Sequence, residues 1–242
     1  MIFNFQNWRK TMNSKKTAII AIAALAIVIS SVGAVSAFEL FGMAFFGTAT
    51  DFDNNFMSGT FNGDVIQNEI KDDGLTKGWT DSYEDKEHNI TYNMSCVKDG
   101  DFLTDYYQLQ GLGAPEIRNY NGQPWKIFYS QAVPDSNVTD NKTAGNDTNN
   151  TIHVYICEAD INGTAYTINV MSYENKTECD GTLFCPLYKD YIGPLIESIQ
   201  FKEAKKAPEM ADLMGMSDEE FKFNREYLNG ILNGTIDPSQ LQ

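Results

Sequence analysis

Histidine is the scarcest reactive side chain in this sequence: His88 and His153 are the only two among 242 residues. None of the four cysteines forms a Cys-x-x-Cys pair, so no zinc-ligand set of ordinary spacing exists and no metal site is expected. Basic residues are also short, 18 against 33 acidic. Four of those 18, Arg9, Lys10, Lys15 and Lys16, precede residue 17, which leaves 14 for the rest of the chain. So acidic a surface repels phosphate backbones, and nucleic acid is excluded as an expected partner. It favours solubility and opposes self-association. No phosphate-cradling glycine loop, Ser-His-Asp motif or close carboxylate pair stands out, and no cofactor is expected.

Charge is missing altogether from "TAIIAIAALAIVISSVGAVSA", Thr17 to Ala37, and no acid occurs before Glu39. Two readings fit residues 1–37. A basic start, an apolar stretch and the small residues Val35 and Ala37 before Phe38 make a signal peptide. The length also suffices for a signal-anchor helix, with the membrane then a partner through residues 17–37. Either way the basic end stays inside, and residues 38–242 are expected outside the membrane, exported or displayed at the cell surface.

Cysteine usage agrees with export. Cys96, Cys157, Cys179 and Cys185 all follow the leader, and an even number reads as two disulfides. Cys179 and Cys185 bracket a short loop and can pair locally, leaving Cys96 and Cys157 to pair between strands. Nine Asn-x-Ser/Thr triplets, where composition alone gives roughly three, add candidate glycosylation sites. They are Asn89, Asn93, Asn137, Asn141, Asn146, Asn149, Asn162, Asn175 and Asn233. Four of them crowd the polar stretch 134–150, read as a flexible surface insert between two strands.

Hydrophobic periodicity predicts an α+β domain over 55–203, after a linker at 38–54 and before a helical tail at 204–242. "FMSGTFNGDVI" suggests one short strand. Trp79 to Glu84 and Ile90 to Val97 form a hairpin whose second strand alternates. Ile90, Tyr92, Met94 and Cys96 then face the core, while Asn89 and Asn93 face solvent. Asp101 to Gly113 reads as a helix with Asp101 as N-cap. Asn121-Gly122 and Asn162-Gly163 are hairpin turns. The second of these sets His153, Tyr155, Cys157 and Ala159 opposite Ser172, Val170, Ile168 and Tyr166. With both its faces partly apolar, that hairpin is expected at the centre of the sheet. Pro194 should kink or end the helix that starts at Pro186, and Ser217 to Glu220 is a capping box.

The leader "MNSKKTAIIAIAALAIVISSVGAVSA", the meander, the closing "YIGPLIESIQF" and the acidic tail resemble uncharacterised cell-surface proteins of methanogenic archaea. The element order of 55–202 is similar to the PsbP-like, Mog-type α/β sandwich, an antiparallel sheet with helices packed on one face. That resemblance implies a non-catalytic binding or assembly role and assigns no site residue.

Three chemical alternatives have residues to support them. Cys96, His153 and Asp160 stand in the order of a thiol hydrolase or transglutaminase triad, although no nucleophile motif surrounds Cys96. Asp51, Asp53 and Asn55 start like a calcium loop that lacks its glycine and closing glutamate, and a solvated linker is the better reading. Met210, Met214 and Met216 match a helix-packing pattern better than a copper site. The expected function is non-enzymatic: binding or scaffolding outside the membrane, as an envelope component or with another surface protein. The rivals are the thiol enzyme and a small-ligand carrier whose pocket Tyr92, Tyr155 and Tyr166 would line.

Overall fold

The computed structural model describes residues 49–69, 78–132, 151–173 and 182–236. The expected leader at 1–37, the expected insert at 134–150, and Cys179 and Asn175 lie outside these residues. Among the described residues no helix is long and apolar enough to cross a membrane.

Three strands stand where the sequence suggested one strand and a linker: β1 (Ala49–Asp53), β2 (Met57–Asn62) and β3 (Val65–Asn68). β1 pairs antiparallel with β2, so residues 49–53 belong to the domain and not to a linker. The pattern was hard to read because β1 has one buried side chain, Phe52. β4 (Thr80–Asp85) and β5 (Ile90–Lys98) form the expected hairpin. β6 (Glu116–Tyr120), β7 (Gln123–Ala132), β8 (Ile152–Ile161) and β9 (Thr164–Tyr173) follow as a meander, and β10 (Gln200–Phe201) is a two-residue strand.

Two sheets result. The large one runs β3-β4-β5-β9-β8-β7-β6, antiparallel throughout, and the small one runs β1-β2-β10. The β8–β9 register is the expected one: His153 faces Ser172, Tyr155 faces Val170, Cys157 faces Ile168 and Ala159 faces Tyr166. It is set by the two-residue turn at Asn162 and Gly163, both at positive φ (53° and 80°). β8 and β9 sit in the middle of the sheet, as their two apolar faces require.

One face of the large sheet carries the main core. Ile90, Tyr92, Met94, Tyr155, Ile168, Trp125 and Ile127 pack there against Phe56, Met57 and Phe61 of the small sheet. The helix α2 (Gly193–Ser198) closes this core through Leu195 and Ile196. A π-helical turn, Tyr188–Ile192, precedes α2, and the change of winding falls beside Pro194, which has no N–H to donate. Gly59 lets β2 pass beneath α2, since a Cβ there would come within 2.9 Å of Ser198 Oγ. Fully burying a large apolar side chain contributes roughly 1.5–3 kcal/mol, so this layer dominates stability.

Helices cover the opposite face too. α1 (Asp101–Tyr107) and α4 (Asp218–Leu232), with the short α3 (Met210–Leu213), pack Phe102, Tyr107, Met210, Phe221 and Leu228 on Val97, Phe128, Ile156 and Ala165. The α+β class and the antiparallel sheet stand; the helices divide between the two faces. Asp101 is not the N-cap of α1. Gly100 holds that position, and Asp101 instead pairs with Arg225 of α4. The capping box of α4 forms in full, with Ser217 Oγ accepting from Glu220 N.

Candidate functional site

Alternation along β5 and β8 puts Cys96 and Cys157 on the same, inner face of the sheet, and both are buried and free. The expected bridge between them does not form. β9 lies between their strands, with Cys96 opposite Tyr166 and Cys157 opposite Ile168. Two strand spacings put them about 10 Å apart before the offset along the strands is counted, beyond the reach of a disulfide. Cys185 is disulfide-bonded, and Cys179 lies outside the described residues.

The thiol triad is not assembled. Across β9, Cys96 lines up with Ala159. His153 lies six residues further along β8, about 20 Å away at strand rise. Tyr129 Oη lies 2.8 Å from His153 Nδ1. Asp160 faces the other way and accepts from Gly163 N (3.0 Å), closing the hairpin turn. Burial, and then the nearby Asp81 carboxylate, push the Cys96 thiol up to about 12. A thiol so raised stays protonated at neutral pH and is a poor nucleophile. Burial raises Cys157 further still.

The other chemical alternatives can be placed as well. Asp51 and Asp53 lie on β1, where Asp51 accepts from Thr60 Oγ1 (2.7 Å) and Asp53 pairs with Lys202, so no calcium loop forms. Asp51 and Asp53 share the exposed face of β1, about 7 Å apart at strand rise, and each is taken up by a partner of its own. Met210 is buried in the second core while Met214 is exposed, as packing on a short helix demands. Tyr92, Tyr155 and Tyr166 are buried in the main core. Tyr166 Oη donates to Lys202 O (2.7 Å) and Tyr155 Oη to Leu183 O (2.9 Å).

Of the glycosylation candidates, Asn89, Asn162 and Asn233 are exposed. Thr235 Oγ1 donates to Asn233 Oδ1 (2.7 Å), so this triplet is already folded on itself. Asn93 is not exposed: its relative accessibility is 0%. The expectation that Asn93 faces solvent fails because β5 is a central strand, covered on both faces. Asn137, Asn141, Asn146, Asn149 and Asn175 lie outside the described residues.

Asn93 belongs to a polar strip that the sequence reading missed. Two rows of cross-strand neighbours build it on the second face. One runs Lys126, Glu158, Thr167, Ser95, Thr80; the other runs Phe128, Ile156, Asn169, Asn93, Ser82. Thr80, Ser82, Asn93, Glu158 and Thr167 are all buried. Glu158 Oε1 accepts from Thr104 Oγ1 of α1 (2.8 Å) and from Lys126 Nζ (3.1 Å). Lys126 Nζ also donates to Thr104 Oγ1 (2.7 Å). Burial raises the Glu158 carboxyl above its usual range, with Lys126 and Thr104 opposing.

Part of the strip is unsatisfied. Among the described residues, Glu158 Oε2, Asn169 Oδ1 and both amide atoms of Asn93 have no hydrogen-bond partner. Each such buried group costs about 1–3 kcal/mol, and proteins rarely leave several together without a use for them. Together they offer three acceptor oxygens and one amide donor on adjacent strands. A signal existed in the sequence. Once β8 is taken as central, Glu158 must be buried, and a buried carboxylate in a central strand asks for a partner.

No protein-family model matches this chain, and no curated protein matches it. Among solved structures it is similar to a crystal structure from Bacteroides thetaiotaomicron VPI-5482, with 8% identity and a TM-score of 0.42. That likeness covers 68% of this chain and 52% of the other, so the chain spans about half its length. It is similar also to the solution structure of cyanobacterial PsbP (CyanoP) from Synechocystis sp. PCC 6803, with 10% identity and a TM-score of 0.38. There 68% of this chain covers 98% of the other. At these scores the likenesses carry no functional argument, and the α+β class rests on the strand pairing itself.

Proposed function

We propose that this is an exported protein, displayed outside the membrane, that works by binding a polar guest and not by thiol chemistry. The observation that carries the proposal is the strip of Asn93, Asn169 and Glu158, whose buried polar atoms lack partners. A guest with two or three donor groups, such as an amide, amine or polyol, matches three acceptors and one donor. The leader, the cysteine placement and the acidic exterior support the address. They also resemble those of surface proteins of methanogenic archaea.

The strip is tested without knowing the guest. Replacing Asn93 and Asn169 together by leucine removes unsatisfied amides from a buried face. The isolated double variant should therefore be more stable than the parent, by roughly 1–3 kcal/mol in urea unfolding. A loss of stability would mean that those amides are already satisfied in the folded chain, and the binding strip would be withdrawn.

Mass spectrometry of protein from the native host tests the address and the cysteines together. Alkylation without reductant should add two labels to the unfolded chain and none to the native one, because Cys96 and Cys157 are free and buried. Glycopeptides should carry sugar at exposed Asn89 and none at buried Asn93. A peptide mass equal to the bare sequence at every triplet would remove glycosylation from the proposal. Four blocked thiols would contradict the cysteine assignment.

A further inference from the structure

The large sheet ends at β6, and β6 is open. Glu116, Ile117, Arg118 and Asn119 are exposed, Ile117 at 57%. Among the described residues no strand pairs with the outer edge of β6. Such an edge is a template for another strand, which proteins ordinarily blunt.

The turn determines which backbone groups point outward. Asn121 and Gly122 both have positive φ (53° and 81°), making a two-residue type I′ turn between Tyr120 and Gln123. In such a hairpin the closing pair exchanges both hydrogen bonds. Tyr120, Arg118 and Glu116 therefore direct their N–H and C=O groups at β7, and Asn119 and Ile117 direct theirs outward. Pro115 comes next and has only a carbonyl to offer, so the open edge is short.

We propose that β6 pairs with β6 of a second copy of this chain, antiparallel, about a two-fold axis at Ile117. Three registers can be compared. Centring on Arg118 sets two guanidiniums opposite each other at the closest, non-hydrogen-bonded spacing, which is destabilising. Centring on Asn119 leaves Glu116 beyond the partner's strand. Centring on Ile117 sets Ile117 against Ile117 of the partner subunit and Glu116 against Arg118 of the partner subunit. That ion pair forms twice, at the close spacing. Within one chain the same two side chains already meet, Arg118 Nη2 lying 3.2 Å from Glu116 Oε1, so the charges are placed to exchange partners. The segment Glu116–Tyr120 is neutral in a chain of formal charge −15, so this patch escapes the general repulsion. The opposite edge, β3, has a different sequence, so the pairing closes as a dimer and does not propagate.

The register is tested by cross-linking the full chain in mild detergent. In the proposed pairing Ile117 faces its own copy with Cα atoms about 5.5 Å apart, inside the disulfide window. Ile117→Cys should give a disulfide-linked dimer on mild oxidation, read on a non-reducing gel. Asn119→Cys should not, because it faces Pro115 of the partner subunit and lies four residues from its own copy. In the Ile117→Cys background, Arg118→Glu should lower the dimer yield several-fold, and adding Glu116→Arg should restore it. Equal yields from the two cysteine variants, no dimer from either, or no response to the charge swap would each overturn the proposal. The substituted positions are exposed, so folding is not at stake, and circular dichroism verifies it.

Discussion

Replacing Lys126 with methionine is expected to destabilise the protein by about 3–5 kcal/mol at neutral pH, the largest effect of any single change considered. Glu158 has 0% side-chain exposure, and Lys126 Nζ is the cation that neutralises it, 3.1 Å away. Methionine keeps the aliphatic stem and deletes only the charge and its two hydrogen bonds. A buried carboxylate with no cation costs far more than the pair itself contributes. The pH dependence has a definite sign. Burial already holds the folded-state Glu158 carboxyl above its unfolded value, and losing Lys126 raises it further. Such a carboxyl costs nothing below its unfolded pKa. The cost then grows as pH rises and is complete above the folded value. The variant should therefore approach the parent in stability near pH 4 and diverge above it. Adding Glu158→Gln should recover most of the loss, since glutamine can still accept from Thr104. Urea unfolding between pH 4 and pH 8 measures both. A pH-independent loss would mean that Lys126 acts through packing alone.

Asp81→Asn should do the reverse and stabilise the protein. The Asp81 carboxyl, with Gln67 Nε2 donating to Oδ1 (2.9 Å), is raised by burial from 3.8 to about 6. The parent therefore carries a cost that is absent below about pH 4, grows between pH 4 and 6, and is complete above that. A shift of about two pH units corresponds to at most about 3 kcal/mol, and partial solvation reduces it to roughly 1–2. Asparagine removes the charge and can keep the Gln67 bond. The variant should match the parent at pH 3.5 and exceed it at pH 8. Equal stability at both values would place Asp81 in water.

Much of the main core was legible in the sequence. Alternation in Ile90, Tyr92, Met94 and Cys96 marked an inner face, and all four are buried. Asn162-Gly163 specified a register that then held for ten pairs along β8 and β9. Ser217 and Glu220 specified where α4 begins. Each of these signals is local: a period of two, a turn needing positive φ, a cap needing a hydroxyl and a carboxylate in reach. The failure at Asn93 has a definite physical cause. Asn93 was placed in solvent because alternation tells the two faces of a strand apart without saying whether the second is covered. Covering it took α1 and α4, which come from distant parts of the chain. The polar strip is invisible for the same reason, because Lys126, Glu158, Asn169 and Asn93 come from four different strands.

By itself the sequence determined an acidic chain, an uncharged apolar stretch at 17–37, an α+β domain and the hairpins that organise it. Those properties depend on composition and on neighbours within a few residues. Only the tertiary structure decided that Cys96 and Cys157 stay unbridged, since the insertion of β9 between β5 and β8 separates them. It alone decided that Cys96 and His153 are far apart, that β6 is an open edge, and that a carboxylate and two amides share a buried face. Strand order is the physical reason. Which strands become neighbours is selected by summed burial over the whole sheet, and no local pattern encodes it.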